Sequence, residues 1–264
     1  MAAISTQAHP GIGIVMDRRN NVFYTDLTHV WRIAPDGTKS IAVRDVHTHE
    51  LCLDGDGNLY GEHLWYEGEA ANRWWHYTWK LSPDGKLQKS PPQQGFRRDA
   101  SFVRDAGGNM YWFSPAPPAA FIRRAPNGNT SRLGGQATYR DVRWITATSH
   151  GDVYFTDDGD LRRLATDGTV ITLAPNVRER ASHWIGGVWL DVQGRVYVAV
   201  WGASVVKRFD PHSRRVDVVA RSAAPWGPSG GMVAPNGDLW LLETSETNTV
   251  RVRRISPSGV ERIF

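Results

Sequence analysis

Residues 47–67, HTHELCLDGDGNLYGEHLWYE, hold the pattern that decides the fold. Leu51 and Leu53 alternate with other residues before the turn DGDG at 54–57, and Leu59 opens a second apolar stretch. Alternating apolar residues on both sides of an Asp/Gly turn are typical of two short strands joined by a tight turn. The stretch therefore predicts a β-hairpin.

The same unit recurs along the whole chain and is marked by the aromatic residue that follows each turn. Six copies align, at Phe23, Tyr60, Tyr111, Tyr154, Tyr197 and Trp240. Three of the intervals between them are 43 residues long, and the interval after Tyr60 is lengthened to 51 residues. A period of this size is the length of one propeller blade.

Each copy is followed by a second strand that ends in a turn. Examples are WRIAPDG at 31–37, WKLSPDG at 79–85 and RRISPSG at 253–259, in which Pro and Gly suit tight turns. One more short strand closes each unit, and no long stretch has the apolar period of a helix. The sequence predicts an all-β fold, a six-bladed β-propeller with four antiparallel strands per blade. We expect a single domain, with blades at approximately 9–43, 44–95, 96–136, 137–175, 176–223 and 224–264.

The composition excludes several classes of protein. The net charge of +4 comes from 31 basic and 27 acidic residues, and the basic residues are scattered in pairs, which argues against a nucleic-acid groove. No apolar run approaches the roughly 18 residues of a membrane span. One cysteine rules out a disulfide framework and a cysteine-built zinc site. No secretory signal is visible, so we expect a soluble protein, cytoplasmic by default, or periplasmic or secreted if a signal peptide has been removed.

Histidines and carboxylates cluster at the two ends of the hairpin. His49 and Glu50 precede its first strand, and Glu62 and His63 end its second strand, so antiparallel pairing brings all four to one edge. Imidazole and carboxylate groups are ligands for Zn, Mn, Fe or Ca. These four residues are therefore candidate ligands of a divalent metal at the rim of the central channel. The alternative is that strand alternation turns half of them into the blade interfaces, where they make polar contacts only.

Other residues on the same rim are candidates for catalysis and substrate binding. His183, Asp157 and Glu62 are candidates for acid–base catalysis. Arg98 and Arg143 hold similar places in blades three and four, and a pair of guanidinium groups suits a carboxylate or phosphate. The alternatives are a structural histidine and Arg–Asp ion pairs between blades.

The chain is rich in tryptophan, with twelve in 264 residues, and tryptophan often lines ligand pockets. The stretch 63–79, HLWYEGEAANRWWHYTW, lengthens blade two. We expect a loop that forms a lid or wall for a sugar, aromatic or cationic ligand. It could instead cover a partner chain or simply lengthen two strands. The candidate substrate-binding aromatic residues are Trp65, Trp75, Trp184 and Trp201.

Blade five, GGVWLDVQGRVYVAVWGASVVKRFDP at 186–211, resembles the gluconolactonase/regucalcin family of calcium-dependent six-bladed propellers. The other blades are similar to NHL-type propellers. The resemblance implies a metal site built from residues five positions before each turn. Those positions here are Ile12, His49, Ala100, Arg143, Gly186 and Ser229, so the family's usual carboxylates are not matched. Related lyases are implied to hold zinc through histidines at these positions, and only His49 matches.

These features predict a small-molecule enzyme that acts at the rim of the central channel. We expect a metal-assisted hydrolase of the lactonase or esterase type, or a lyase, with an anionic or sugar-like substrate. The alternative is a non-catalytic propeller that binds a ligand or a protein through the aromatic stretch of blade two. Propellers host both uses, so the fold alone does not choose between them.

Overall fold

The structure is a computed structural model that describes residues 12–68, 71, 73–95 and 103–264. Its strands form six antiparallel sheets, each made from one continuous segment of the chain. Blade one contains β1 (Ile14–Met16), β2 (Val22–Thr25), β3 (Val30–Ile33) and β4 (Lys39–Val43). Blade two contains β5 (Cys52–Leu53), β6 (Leu59–Tyr66), β7 (Trp74–Leu81), β8 (Leu87–Lys89) and β9 (Gln93–Gln94). Blade three contains β10 (Met110–Ser114), β11 (Ala120–Arg124) and β12 (Thr130–Leu133). Blade four contains β13 (Val142–Ala147), β14 (Val153–Asp157), β15 (Asp160–Leu164) and β16 (Val170–Ala174). Blade five contains β17 (Ile185–Leu190), β18 (Val196–Val200), β19 (Val205–Asp210) and β20 (Arg215–Arg221). Blade six contains β21 (Trp226–Val233), β22 (Leu239–Ser245), β23 (Val250–Ile255) and β24 (Glu261–Ile263). The predicted all-β, six-bladed propeller is confirmed.

Blades two and three differ from the regular pattern. In blade two, β9 pairs with β7 beside β8, which gives this sheet a fifth strand. In blade three, the described residues form three strands and one isolated bridge between Arg104 and Met110. The segment 96–102, where the first strand of this blade is expected to begin, lies outside the described residues.

In four blades, the turn before the second strand is fixed by a leading aspartate, whereas blade four has Thr148 and blade six has Ala234 at that place. The carboxylate of Asp54 accepts hydrogen bonds from the backbone N–H groups of Asp56 and Asn58, at 3.0 and 2.9 Å, and from the Tyr60 hydroxyl, at 2.8 Å. Gly57 supplies the positive φ, 82°, that closes the turn. Asp105 with Tyr111 and Asp191 with Tyr197 repeat the arrangement. In blades two, three and five, the fixed interval between turn and aromatic residue therefore has a physical cause, since the tyrosine hydroxyl completes the turn.

The core lies between the blades. Alternate residues of a strand face opposite sides of its sheet, so each sheet packs against two neighbours. Tyr24 of blade one and Trp240 and Leu242 of blade six belong to one buried cluster. Since this cluster joins the last blade to the first, side-chain packing closes the ring.

The first strands contact one another around the channel, with β17 between β13 and β21, and β1 between β21 and β5. Glycine allows the closest approaches: a Cβ on Gly186 would lie 2.8 Å from the carbonyl oxygen of Pro228, and one on Gly230 would overlap the carbonyl oxygen of Ile12. Blades five, six and one therefore pack backbone to backbone at the channel. No helix long and apolar enough to cross a membrane occurs among the residues that the structure describes.

Candidate functional site

The candidate site lies on the rim where the chain enters each first strand. In blade two, the segment before β5 is hydrogen-bonded along β6: the Leu64 N–H donates to the His47 carbonyl, at 3.1 Å, and the Thr48 hydroxyl donates to the Glu62 carbonyl. The carbonyl of His49 accepts two backbone N–H groups from blade one, each at 2.9 Å. Hydrogen bonds from β6 and from blade one therefore hold the backbone of this segment, and they fix the positions of its Cα atoms.

His49 and Glu62 are brought together by this arrangement. His49 Nδ1 lies 3.7 Å from Glu62 Oε1, and the two side chains are 23% and 17% exposed. The ring of His47 packs edge-on against that of His49, with centroids 4.7 Å apart. A half-buried imidazole beside a carboxylate is the arrangement of a general base and the group that orients it.

His63 lies on the other face of the sheet from Glu62. The two residues are neighbours in β6 and pair with Tyr77 and Thr78, so their side chains point to opposite sides. His63 Nδ1 accepts a hydrogen bond from the backbone N–H of His47, at 2.8 Å. A nitrogen that accepts carries no proton, so the neutral ring carries its proton on Nε2. In this tautomer neither ring nitrogen has a lone pair left for a metal.

The residues present do not fit the metal site expected from the sequence. Among the described residues, no three His, Cys, Asp or Glu side chains lie together as metal ligands would. Of the four predicted ligands, His49 and Glu62 are close, His63 is turned away, and Glu50 is not part of a ligand group. Equivalent positions in other blades hold Ile12 and Gly186, which have no ligand atom in their side chains. The chemistry of the site is therefore assigned to its side chains.

The described residues of the stretch 63–79 form two paired strands rather than the expected loop. They continue β6 and β7, whose paired residues run from Leu59–Leu81 to Tyr66–Trp74. Of the three alternatives weighed for it, the structure shows two lengthened strands. The physical reason is that its aromatic residues pair across the strands: Trp65 lies opposite Trp75, with centroids 6.2 Å apart.

The two faces of this hairpin carry different residues. Tyr66 and Trp74, with ring centroids 4.9 Å apart, share a face with Glu62. Trp65 and Trp75, the two hairpin residues chosen from the sequence, lie on the other face. Sequence reasoning missed Tyr66 and Trp74 because it treated the stretch as a loop. Counting alternate residues from Glu62 would have found them.

Asp157 is brought to the rim but has a full set of partners. Its side chain is 1% exposed and accepts the backbone N–H groups of Arg140 and Asp141, both at 2.8 Å. Its second oxygen pairs with the guanidinium of Arg162, at 2.5 Å. This geometry favours a structural role, and a catalytic one stays an untested prediction.

The other predicted residues lie apart on the rim. His183 Nδ1 lies 3.0 Å from the carbonyl oxygen of Arg178, and since that oxygen can only accept, Nδ1 carries the proton and Nε2 is the basic nitrogen. Arg143 is 65% exposed and pairs with Asp141 at 2.9 Å. Trp184 and Trp201 stack on each other in blade five, with centroids 5.2 Å apart. Arg98 lies outside the described residues.

Solved structures with this architecture are similar over nearly the whole chain. Virginiamycin B lyase from Staphylococcus aureus matches with a TM-score of 0.57 and 15% identity, over 98% of this chain and 85% of that one. A gluconolactonase from Xanthomonas campestris matches with a TM-score of 0.58 and 13% identity, over 89% and 83%. Regucalcin from Agrobacterium tumefaciens, a calcium-binding protein, matches with a TM-score of 0.56 and 16% identity, over 90% and 83%. The chain has the propeller fold of the gluconolactonase/regucalcin group.

The likeness extends to the fold and no further. No protein-family model matches the sequence, and no curated protein sequence does so either. At these identities the lyase, lactonase and calcium-binding descriptions belong to those proteins. The chemistry of this chain depends on its own residues.

Proposed function

We propose that the protein is a small-molecule hydrolase or lyase in which His49 is the general base and Glu62 orients it. The observation that carries the proposal is the 3.7 Å approach of His49 Nδ1 to Glu62 Oε1 on a segment whose backbone is held by two blades. A small rotation of either side chain brings this pair to hydrogen-bond length, and such contacts are often long before substrate binds.

With Nδ1 directed to Glu62, the Nδ1–H group donates a hydrogen bond to the carboxylate, and Nε2 is the basic nitrogen. In hydrolysis, Nε2 takes a proton from water as the oxygen attacks an ester or lactone carbonyl, and then returns the proton to the leaving oxygen. In elimination, the same nitrogen takes the proton from carbon, a carbon–carbon double bond forms as the bond to the leaving oxygen on the next carbon breaks, and the imidazolium returns the proton to that oxygen. Tyr66 and Trp74 share the face of Glu62 and supply an aromatic wall for the substrate.

The test is turnover of a panel of aryl esters, aldonolactones and uronic acid esters by the wild type, His49→Ala and Glu62→Gln. We expect kcat/KM to fall about 10² to 10⁴-fold in His49→Ala and by a smaller factor in Glu62→Gln. His29→Ala is the matched control, because His29 is also a rim histidine, 22% exposed, with Nδ1 3.9 Å from a carboxylate. Turnover that survives in His49→Ala, or is lost equally in His29→Ala, would overturn the assignment.

The metal content of the protein is measured separately from its turnover. We expect protein purified without added metal or affinity histidines to contain no stoichiometric Zn, Mn, Fe or Ca by elemental analysis. One equivalent that is lost in His49→Ala would instead place a metal at this pair and revive the ligand set predicted from the sequence.

The second candidate function is a non-catalytic ligand-binding propeller. The observation that favours it is the aromatic hairpin, which carries ring pairs on both of its faces. Binding of panel compounds without turnover, unaffected by His49→Ala, would favour this candidate over the enzyme.

A further inference from the structure

Four aromatic rings form a continuous patch on the face of the hairpin that points away from Glu62. We call the patch of His63, Trp65, Trp75 and Tyr77 the outer aromatic face. Its ring centroids lie 5.2 Å apart for His63 and Trp65, 6.2 Å for the two tryptophans, and 4.9 Å for His63 and Tyr77. All three separations are within the range of favourable aromatic pairs, so the rings form one surface.

The outer part of this face extends past the neighbouring blade. Thr25 and Glu62 hold equivalent places, two residues after the aligned aromatic residues of blades one and two. The strand β2 ends at Thr25, whereas β6 continues to Tyr66. Trp65 therefore lies about 10 Å beyond the end of the adjacent second strand, at roughly 3.3 Å per residue. The apolar cluster between blades one and two reaches Tyr77, and the tryptophan pair lies past it.

Both signs of charge border the face. The Nζ atom of Lys89 lies 5.1 Å from the ring centroid of Tyr77. At the hairpin tip, Glu67 pairs with Arg73 at 2.9 Å and accepts the indole N–H of Trp75 at 3.0 Å. A cationic ligand would be repelled by Lys89, which already occupies the face of Tyr77. An anionic ligand would meet the Glu67 carboxylate. The border therefore suits an uncharged ligand.

The border also offers several hydrogen-bonding groups. Nε2–H of His63 is a donor, because Nδ1 of that ring accepts from the His47 N–H. Glu67 adds an acceptor and Arg73 adds donors at the tip. A ligand that fits is neutral, has an apolar face for the rings and carries hydroxyl groups around its edge. A pyranose ring has this chemistry, since its axial C–H groups form an apolar face and its hydroxyls lie equatorially.

We propose that the outer aromatic face is a binding site for neutral carbohydrate, separate from the His49–Glu62 pair. Two neighbouring tryptophans offer stacking positions for successive sugar rings of an oligosaccharide. The proposal does not depend on catalysis at His49, since the face lies on the opposite side of the sheet from Glu62.

The test is isothermal titration with cellohexaose, xylohexaose and maltohexaose as probes, using the wild type, Trp65→Ala and Trp75→Ala. We expect at least one probe to bind the wild type and to bind each variant about tenfold more weakly, as suits the loss of one stacked ring. Trp112→Ala is the matched control, because Trp112 is a half-buried tryptophan of β10 with the Arg124 guanidinium over its ring. This control and His49→Ala should both bind as the wild type does.

Three results would overturn the proposal. The first is that none of the three probes binds at about millimolar concentration, and the second is that binding survives in both tryptophan variants. The third is a dimer in light scattering that Trp65→Ala dissociates, which would make the face an interface between copies of this chain. Because His49→Ala is measured beside them, failure here is distinguishable from failure of the proposed catalytic role.

Discussion

Asp157, at the end of β14 in blade four, and Glu62, within β6 in blade two, are both rim carboxylates of second strands, yet their surroundings differ. Asp157 is buried, accepts two backbone N–H groups and pairs with Arg162. Glu62 is partly exposed and approaches His49 at 3.7 Å. A carboxylate whose oxygens are filled by fixed donors holds the rim in shape, whereas one paired with a half-buried imidazole can assist proton transfer.

Glu243 in blade six behaves as Asp157 does. Its side chain is fully buried and accepts the Ser222 hydroxyl at 2.6 Å and the guanidinium groups of Arg251 and Arg253 at 2.6 and 2.8 Å. Two of the rim carboxylates therefore share a structural arrangement, and blade two departs from it. That departure is the reason for placing the chemistry in blade two.

The largest expected effect comes from removing the carboxylate of Asp157, which holds the rim in shape. Asp157→Ala should lower the free energy of unfolding by about 3–5 kcal/mol, because Arg162, with a side chain 14% exposed, is left without its buried partner. Urea unfolding followed by circular dichroism measures this loss. Glu62→Ala is the control and should change stability by less than about 1 kcal/mol. Equal losses in the two variants would remove the distinction between the carboxylates.

A smaller effect tests how tightly the first strands of blades six and one pack at the channel. A Cβ on Gly230 would overlap the carbonyl oxygen of Ile12 and lie 3.1 Å from its Cα, and backbone atoms cannot move aside as a flexible side chain can. We expect Gly230→Ala to cost about 1–3 kcal/mol in thermal or urea unfolding.

Gly55→Ala is the matched control for that substitution, since a Cβ there would have no atom within 4 Å. It should change stability by less than about 0.5 kcal/mol. If Gly230→Ala also leaves stability unchanged, the first strands at the channel are less closely packed than the structure shows.

The sequence predicts the fold well because its signals are local and repeated. The Asp54 turn, with Gly57 and Tyr60, shows why: each residue of the motif contacts another within six positions along the chain. Four strands per blade and six blades follow from counting such units. The lengthened hairpin was visible only as an irregular interval, since its strand character depends on pairing between Trp65 and Trp75 across the turn.

The candidate site is less predictable because it depends on contacts between distant segments. The closeness of His49 to Glu62 follows from hydrogen bonds that lay the segment before β5 along β6. Glu62 and His63 lie on opposite faces because successive side chains of a strand alternate. The sequence contains this alternation, but it predicts polar contacts between blades only as the alternative to a metal site. The hydrogen bonds that occupy the Asp157 carboxylate come from Arg140 and Asp141, which lie 16 or more residues away.

The smallest expected effect sharpens the contrast between the two faces of β6. Burial, and secondarily the charge of Lys89, holds the pKa of His63 below its usual value of about 6.5. Between the two pKa values the unfolded chain binds a proton that the folded chain does not, so stability should fall as the pH drops below about 6.5. NMR titration of the ring should show this lowered pKa with the proton on Nε2. Lys89→Met should raise the pKa part of the way back, and His63→Gln should remove that part of the pH dependence of urea unfolding. A ring that titrates at or above about 6.5, or carries its proton on Nδ1, would contradict the hydrogen bond from His47 and return His63 to the set of possible metal ligands.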